Sequence, residues 1–468
     1  MSFDFDVVFI GGGPGGYVGA IKSAKIGLKT ACIDKRKTLG GTCLNVGCIP
    51  TKALLEITHK HYAVQDMLKS GLAKGNFEIN FDEMMKKKEK IVSTLSSGID
   101  GLFTKNKVKK FTGFAKIVAK NTIEIKDEDG SLQTITAKNI VIATGSQVTT
   151  IPSVPIDEEV IVSSTGALSL KKVPASMIVI GAGVIGLALG SVYARLGTKV
   201  DVIEFLDRTT PAMDLELSKE FERIMISQGI NFKFNTKVLG AKKVKSGKAE
   251  VEIEGVKDSK KETLTADIVL CAIGRKPYIE NLGIETLAIK TTDRGFIAID
   301  KHFKTNVEGV YAIGDVIPGL MLAHKSEEEG VAVAEIIAGK YGHVNYDCIP
   351  SVIYTHPEVA SVGKTEEELK SQGIEYKVGK FKFIANSRAK AVADDEGFVK
   401  ILACKKTDKI LGAHIIGRAA GDIIHEICVA MEFGGSAEDV ARTCHAHPTL
   451  NEAIKEACMA VDKAQIHS

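Results

Sequence analysis

The chain has 468 residues, of which 44% are hydrophobic and 25% are charged, and its formal net charge is +3. This length predicts roughly two to four domains, and the small dispersed charge excludes a basic nucleic-acid binder. The odd number of cysteines, 9 and mostly scattered, excludes a secreted disulfide framework and favours a reducing, intracellular setting.

The chain begins with a strand, a glycine-rich turn and a helix. Residues 5–10 predict a buried strand, residues 17–26 a helix, and residues 29–33 a second strand that ends at Asp34. The turn glycines are Gly11, Gly13 and Gly16. The glycine run also interrupts the apolar stretch, so we do not expect it to be a signal peptide.

The same unit recurs in the middle of the chain. Residues 177–180 predict a strand, residues 187–196 a helix, and residues 199–203 a strand that ends at Glu204. The turn glycines are Gly181, Gly183 and Gly186. In both units the acid follows the first glycine by 23 positions. Because a turn breaks the uncharged stretch, a membrane helix is not expected here.

These two units have the features of dinucleotide-binding turns. The first glycine makes the tight turn, the second lets the backbone approach a pyrophosphate, and the third lets the helix pack on the strand. The N-terminus of the helix stabilises the phosphates, and the acid accepts hydrogen bonds from ribose hydroxyls. Two such units in one chain predict two bound dinucleotides.

Between the two units lies a pair of cysteines, Cys43 and Cys48. Their spacing fits neither a zinc knuckle nor a thioredoxin motif, so we expect no metal there. Residues five apart on an ideal helix are about 8–9 Å apart, too far for a disulfide. The segment is therefore expected to be a distorted helix, with Gly47 supplying the freedom, and the pair is expected to be redox-active.

The rest of the chain predicts further sheet strands and then a separate α+β region. Residues 136–145, 265–274 and 309–313 are expected to be buried strands that return to the dinucleotide sheets. From Tyr346 onward the pattern changes to alternating strands and then, from Gly421, to helices.

Near the C-terminus a histidine and a carboxylate are spaced for proton transfer. A histidine can move protons at neutral pH, and a carboxylate can orient its imidazole. His447 and Glu452 are the candidates, and His445 competes with His447 on spacing alone. A simply packed histidine is the alternative interpretation of His447.

Together these motifs resemble the pyridine nucleotide-disulfide reductases over nearly the whole chain. Residues 40–52, 383–390 and 444–452 are similar to the branch that oxidises dihydrolipoamide. The resemblance implies an α/β fold with two Rossmann-like FAD- and NAD-binding domains and an α+β dimerisation domain. The implied domains are 1–148 for FAD, 149–277 for NAD, 278–346 as a central domain that completes the FAD site, and 347–468 for the dimer interface.

The resemblance also assigns cofactor-binding residues by matching motif. The residues implied for FAD are Gly11, Gly13, Gly16, Asp34, Lys52, Gly113, Thr144, Gly145, Ser146, Asp315, Met321, Leu322, Ala323 and His324. Those implied for NAD are Gly181, Gly183, Gly186, Glu204 and Gly274.

The implied catalytic residues are Cys43, Cys48, His447 and Glu452. In that family the position of Cys48 faces the flavin as the charge-transfer thiol, and that of Cys43 exchanges disulfides with substrate. The position of His447 reaches the cysteines from the partner subunit, which implies a homodimer. The implied partners are lipoyl domains of 2-oxo acid dehydrogenase acyltransferases or the carrier protein of glycine cleavage, in the bacterial cytoplasm or the mitochondrial matrix.

The competing interpretation is an NADPH-dependent disulfide reductase of the glutathione-reductase type. Glu204 would repel the 2′-phosphate of NADPH, and only Arg208 follows it closely, so NAD is favoured. One position departs from the family: Ala188 stands where a glutamate usually pairs with the flavin-side lysine. We therefore expect an altered flavin potential or an altered rate of hydride exchange.

Overall fold

The computed structural model describes residues 2–467, which form two compact units. Of the described residues, the first unit comprises 2–54, 80–149 and 274–344, and the second comprises 55–79, 150–273 and 345–467. The division into four domains stays a prediction. Among the described residues, no helix is both long and apolar enough to cross a membrane.

The α-helices run in chain order over the described residues. They are α1 (Pro14–Ile26), α2 (Gly41–Val46), α3 (Cys48–Lys69), α4 (Phe81–Lys105), α5 (Ser164–Ala167), α6 (Val184–Arg195), α7 (Leu215–Ser227), α8 (Ala323–Ile337), α9 (Glu366–Ser371), α10 (Ser387–Ala391), α11 (Ala420–Glu432), α12 (Ala437–Arg442) and α13 (Glu452–Ala460).

The β-strands are numbered in the same way. They are β1 (Phe5–Ile10), β2 (Thr30–Asp34), β3 (Lys109–Thr112), β4 (Phe114–Ala119), β5 (Thr122–Lys126), β6 (Leu132–Ile142), β7 (Ser146–Val148), β8 (Ile161–Val162), β9 (Ser176–Ile180), β10 (Lys199–Ile203), β11 (Ile230–Lys233), β12 (Thr236–Lys243), β13 (Ala249–Gly255), β14 (Lys261–Ala266), β15 (Ile268–Cys271), β16 (Arg275–Pro277), β17 (Val310–Ala312), β18 (Ser351–Ile353), β19 (Glu358–Gly363), β20 (Tyr376–Lys382), β21 (Phe398–Cys404) and β22 (Ile410–Gly417).

The first unit is built on a mostly parallel sheet in the order β3-β2-β1-β6-β5-β4, with β17 also paired to β6. Strands β3, β2, β1, β6 and β17 are parallel, whereas β4 and β5 are antiparallel additions. The parallel strands have the doubly wound order that places ligands at their carboxyl ends. The core of the first unit includes the fully buried side chains of Val7, Val8 and Phe9 of β1, which explains the continuous apolar run of that strand.

The second unit contains a parallel sheet in the order β11-β10-β9-β15-β8 and a three-stranded antiparallel sheet, β12-β13-β14. Both glycine turns therefore join the central strand of a parallel sheet to a helix, as the sequence predicts. One predicted strand is wrong in detail: residues 265–274 do not form a single strand. The chain breaks at Asp267, which accepts a hydrogen bond from the backbone N–H of Ser176 at 2.9 Å.

Residues 345–467 of the second unit form an antiparallel sheet in the order β18-β19-β22-β21-β20, covered by helices. The helices α11, α12 and α13 follow the strands in sequence, which confirms the predicted α+β region. Strand β21 is one of the strands that the sequence predicts after Tyr346, and its residues from Phe398 to Ala403 are buried.

Candidate active site

The first glycine turn is shaped so that side chains cannot enter it. Gly11 has φ +109°, a left-handed conformation, and a Cβ atom on Gly16 would collide with the carbonyl of Gly11. The backbone N–H of Gly12 donates to Asp34 Oδ2 at 2.7 Å, and Arg36 N–H donates to Oδ1 at 2.8 Å. The carboxylate of Asp34 is thereby fixed at the edge of the turn, where a ribose hydroxyl could reach it.

A cleft opens beside this turn in the first unit. Its lining includes Gly11, Asp34, Gly113, Thr144 and Tyr278. Gly113 has φ +143°, and its N–H donates to the carbonyl of Asp34 at 2.9 Å. The cleft therefore brings together residues predicted for FAD that lie far apart in sequence, and it fits the adenosine end of a dinucleotide.

The two paired cysteines lie on a helix that breaks between them. Helix α2 carries Cys43 and ends at Val46, whereas Cys48 begins α3. Gly47 has φ −146° and ψ −112°, and a Cβ there would lie 2.8 Å from the Thr42 carbonyl oxygen. This geometry is the distortion that the sequence predicts. Both cysteines are thiols in this structure.

Residues 40–52, which carry the two cysteines and are called the redox segment, are joined to the first glycine turn by close backbone contact. The N–H of Gly40 donates to the carbonyl of Gly12 at 2.8 Å. A Cβ on Gly41 would lie 2.5 Å from the Cα of Gly13. The start of α2 therefore packs directly on the turn, which places Cys43 beside the predicted flavin-binding region.

The two thiols differ in acidity. The hydrogen bond from Cys43 and, to a smaller extent, the Lys52 ammonium lower the pKa of Cys48 to about 7, against the opposing effect of burial. The same hydrogen bond, together with burial, raises the pKa of Cys43. Cys48 is therefore the thiolate of the pair near neutral pH, which matches its implied role facing the flavin.

A hydrogen-bonded chain fixes Asp315, which the sequence predicts to bind FAD. Ser146 Oγ donates to Asp315 Oδ2 at 2.6 Å, and Arg275 donates to Ser146 through Nε and Nη2 at 2.7 Å each. The neighbouring Thr144 is held by Tyr278, because its Oγ1 donates to the Tyr278 carbonyl at 2.6 Å. The structure thus brings Ser146 and Asp315 together in one hydrogen-bonded chain.

Helix α8 holds the turn that carries Asp315. Predicted residues 321–324 lead into and begin this helix. Glu329 Oε2 accepts the N–H of Gly314 at 2.7 Å, and Lys325 Nζ donates to the carbonyl of Gly314 at 3.1 Å. Lys325 and Glu329 form an ion pair at 3.0 Å, with side chains 1% and 0% exposed. This buried pair therefore fixes the backbone directly before Asp315.

The second glycine turn repeats the first. Gly181 has φ +103°, and a Cβ on Gly186 would collide with the carbonyl of Gly181. The N–H of Ala182 donates to Glu204 Oε2 at 2.7 Å, and Leu206 N–H donates to Oε1 at 2.9 Å. This arrangement fits NAD as the first turn fits FAD.

Three other predicted positions have a defined local structure. The backbone of Gly183 is extended, and no atom lies within 4 Å of where its Cβ would stand, so a phosphate group has room to approach this backbone. Gly274 belongs to the first unit, has φ +119°, and accepts the N–H of Thr149 at 3.1 Å. Ala188 is buried in α6, and the altered flavin potential expected from it stays a prediction.

His447 and Glu452 form a hydrogen-bonded pair in the second unit. His447 Nδ1 lies 2.9 Å from Glu452 Oε1, and Thr449 N–H donates to Glu452 Oε2 at 2.8 Å. Burial opposes ionisation of Glu452, but the hydrogen bonds from Thr449 and His447 prevail and lower its pKa. The His447 side chain is 68% exposed, so its Nε2 is the nitrogen available to exchange a proton.

His445, the competing candidate, has a different role in the structure. Its Nε2 lies 2.7 Å from Glu426, and its side chain is only 6% exposed. The sequence analysis missed Glu426, which lies 19 positions away. It also missed Arg275, although the residue directly follows the predicted Gly274. The i,i+4 spacing of Lys325 and Glu329 was a signal for their ion pair, but not for its burial.

Regions similar to known proteins extend over nearly the whole chain. Residues 5–330 match the family described as pyridine nucleotide-disulphide oxidoreductase, and residues 349–458 match the dimerisation domain of that family. The mitochondrial dihydrolipoyl dehydrogenases of dog and human are each 54% identical over 460 residues, which is 98% of this chain and 90% of theirs.

Two solved structures share the fold. LpdA from Mycobacterium tuberculosis has a TM-score of 0.89 at 24% identity and covers 97% of this chain and 98% of its own. The flavoprotein disulfide reductase RclA from Escherichia coli has a TM-score of 0.86 at 25% identity, and the match covers 98% of this chain and 99% of the RclA chain. These likenesses confirm the predicted fold class.

Proposed function

Because the chain belongs to the pyridine nucleotide-disulphide oxidoreductases, we propose that it oxidises dihydrolipoamide to lipoamide and reduces NAD to NADH. FAD and NAD are the cofactors of the dihydrolipoyl dehydrogenases it resembles. The observation that carries the proposal is the redox pair Cys43 and Cys48, held across the break at Gly47 and packed on the first glycine turn.

FAD, when bound, would supply the two-electron and hydride-transfer chemistry that links the cysteine pair to NAD. Gly11, Gly13, Gly16 and Asp34 would hold its pyrophosphate and ribose, and Asp315 its ribityl chain. Gly181, Gly183, Gly186 and Glu204 would hold NAD in the same way. The protein supplies binding, distance and charge around these groups.

The chemistry of the thiols is assigned to four side chains. His447 Nε2 takes a proton from dihydrolipoamide, and the thiolate attacks Cys43 of the Cys43–Cys48 disulfide, which releases Cys48 as a thiolate. The second substrate thiol then displaces Cys43, closes lipoamide and leaves the pair reduced. Glu452 holds the imidazole through Nδ1 and stabilises its protonated form. The electron pair leaves from Cys48.

The partners follow from the proposed reaction. Residues 349–458 match a dimerisation domain, so the chain forms a homodimer, and we assign His447 to the cysteines of the partner subunit. The dihydrolipoamide would be carried by lipoyl domains of 2-oxo acid dehydrogenase complexes or by the glycine cleavage carrier. The similar dog and human proteins are mitochondrial, which favours the mitochondrial matrix over the bacterial cytoplasm.

The first test mixes the purified yellow protein with dihydrolipoamide and NAD and follows NADH, with NADP in parallel. Rapid NADH formation with little NADPH supports the proposal. A Cys43→Ser variant should lose the activity, whereas Cys404→Ser, a cysteine on β21 outside the redox segment, should keep it. NADPH-dependent reduction of glutathione disulfide, without NADH formation from dihydrolipoamide, would contradict the proposal and support the glutathione-reductase alternative.

A further inference from the structure

A second histidine–carboxylate pair lies in the loop that carries His447. His445 Nε2 lies 2.7 Å from Glu426 Oε1, and its Nδ1 lies 2.9 Å from the carbonyl oxygen of Thr443. The His445 side chain is 6% exposed, in contrast to 68% for His447. His445 is therefore packed and bonded at both ring nitrogens, and it is not placed to exchange a proton with a substrate.

Both ring nitrogens of His445 are engaged. Nδ1 lies against the peptide carbonyl of Thr443, and Nε2 lies against Oε1 of Glu426. The other oxygen of Glu426, Oε2, accepts a hydrogen bond from Asn451 Nδ2 at 2.7 Å. His445 and Glu426 are therefore each held by two partners, which fixes the orientation of both side chains.

Glu426 joins the two ends of the catalytic loop. It projects from α11, and its two oxygens bind His445, two positions before His447, and Asn451, directly before Glu452. We propose that Glu426, His445 and Asn451 form a clamp that positions the His447–Glu452 pair for proton transfer. This inference rests on the proposed function, and His445 and Glu426 are positioning residues in it.

Charged groups from two helices surround the clamp. Glu426 comes from α11, and Glu452 and Lys455 come from α13, where Lys455 Nζ donates to the same Thr443 carbonyl at 3.1 Å. The thiol of Cys458 is neutral there, because burial and Glu426 raise its pKa. In a His445→Gln variant, Glu426 loses one of its two hydrogen-bond partners, so Asn451 and the adjacent Glu452 are held less firmly.

The test compares three variants with a matched control. His445→Gln, Glu426→Gln and the double variant are assayed for kcat/KM with dihydrolipoamide and NAD across pH. The control, His425→Gln, replaces an exposed histidine on the same helix as Glu426. Each variant is also assayed for NADH oxidation by ferricyanide, which takes electrons from the flavin without the dithiol step.

We expect each single variant to lower kcat/KM about 10- to 100-fold, because a small misplacement of a catalytic group is costly. The ferricyanide rate should stay near wild type in every variant. The kcat/KM of the double variant should be no lower than that of the less active single variant, since the effects of residues that act as a unit are not additive. His425→Gln should match wild type throughout.

Wild-type kcat/KM at every pH in both single variants would overturn the clamp, and so would losses that multiply in the double variant. An equal loss of ferricyanide activity would also overturn it, because the cluster would then serve folding alone. The unmodified protein is measured first: if it forms no NADH from dihydrolipoamide, the proposed function fails, and the clamp as a device of that reaction fails with it.

Discussion

Asp34 and Glu204 hold their glycine turns by the same pair of hydrogen bonds. In both, one carboxylate oxygen accepts the N–H of the residue after the first glycine at 2.7 Å. The other oxygen accepts the N–H of the residue two positions after the acid, at 2.8 and 2.9 Å. Each carboxylate is thus fixed before any dinucleotide arrives, and it presents negative charge where a ribose 2′-position would lie.

We predict that Glu204 determines the preference for NAD over NADP. Glu204→Gln keeps an acceptor oxygen but removes the charge that repels a 2′-phosphate, so the ratio of kcat/KM for NAD to that for NADP should fall by about tenfold, the equivalent of 1.4 kcal/mol. Steady-state kinetics with both nucleotides measures this ratio. Asp201→Asn, which neutralises a carboxylate on β10, the strand that Glu204 follows, should leave this ratio unchanged. A fall of equal size in that variant would show a general charge effect.

The parts of this site that the sequence predicted have either a local cause or a repeated spacing. Gly47 acts on residues a few positions away, and each acid follows the first glycine of its turn by the same 23 positions, so both features are visible in the chain. His445 and His447 could not be distinguished in this way, because Glu426 lies on another helix. The break at Asp267 was missed for the same reason: its partner, Ser176, is 91 positions away.

The break at Gly47 should be essential for the redox pair. A Cβ at this position would lie 2.8 Å from the Thr42 carbonyl oxygen and 3.3 Å from the Cα of Cys43, so Gly47→Ala must push the two cysteines apart. We expect a loss of at least about tenfold in dihydrolipoamide oxidation, equivalent to 1.4 kcal/mol, and slower closure of the disulfide. Thiol titration after oxidation gives the second readout. Gly98→Ala in α4, where no atom lies within 4 Å, is the control and should be neutral.

The acidity of Cys48 should be visible as a pH-dependent colour. The pKa of Cys48 is lowered to about 7, so the thiolate is present above that pH and is lost below it. In the two-electron-reduced protein, the long-wavelength thiolate–flavin absorbance should therefore grow as pH rises through about 7. Lys52→Met removes a cation that lowers this pKa, so the midpoint should move to higher pH. A midpoint that stays in place or moves lower would contradict this assignment of Lys52.

The buried ion pair of Lys325 and Glu329 should be required to retain FAD. Lys325→Met leaves Glu329 charged at 0% exposure, and breaking a buried pair on one side costs about 3–5 kcal/mol of unfolding free energy. Because both side chains bond to Gly314, directly before Asp315, the loss should also loosen the flavin-side turn.

The measurements that test this are the midpoint of unfolding in denaturant and the ratio of flavin to protein absorbance after gel filtration. Both should fall for Lys325→Met. The double variant Lys325→Met/Glu329→Gln removes both charges, so it should recover stability relative to the single variant, but it should retain FAD poorly because the bonds to Gly314 are weakened. Lys60→Met, which breaks the exposed i,i+4 pair with Glu56, is the matched control and should leave both measurements unchanged. If Lys325→Met unfolds at a lower denaturant concentration yet keeps its full flavin, the pair stabilises the core without positioning Asp315.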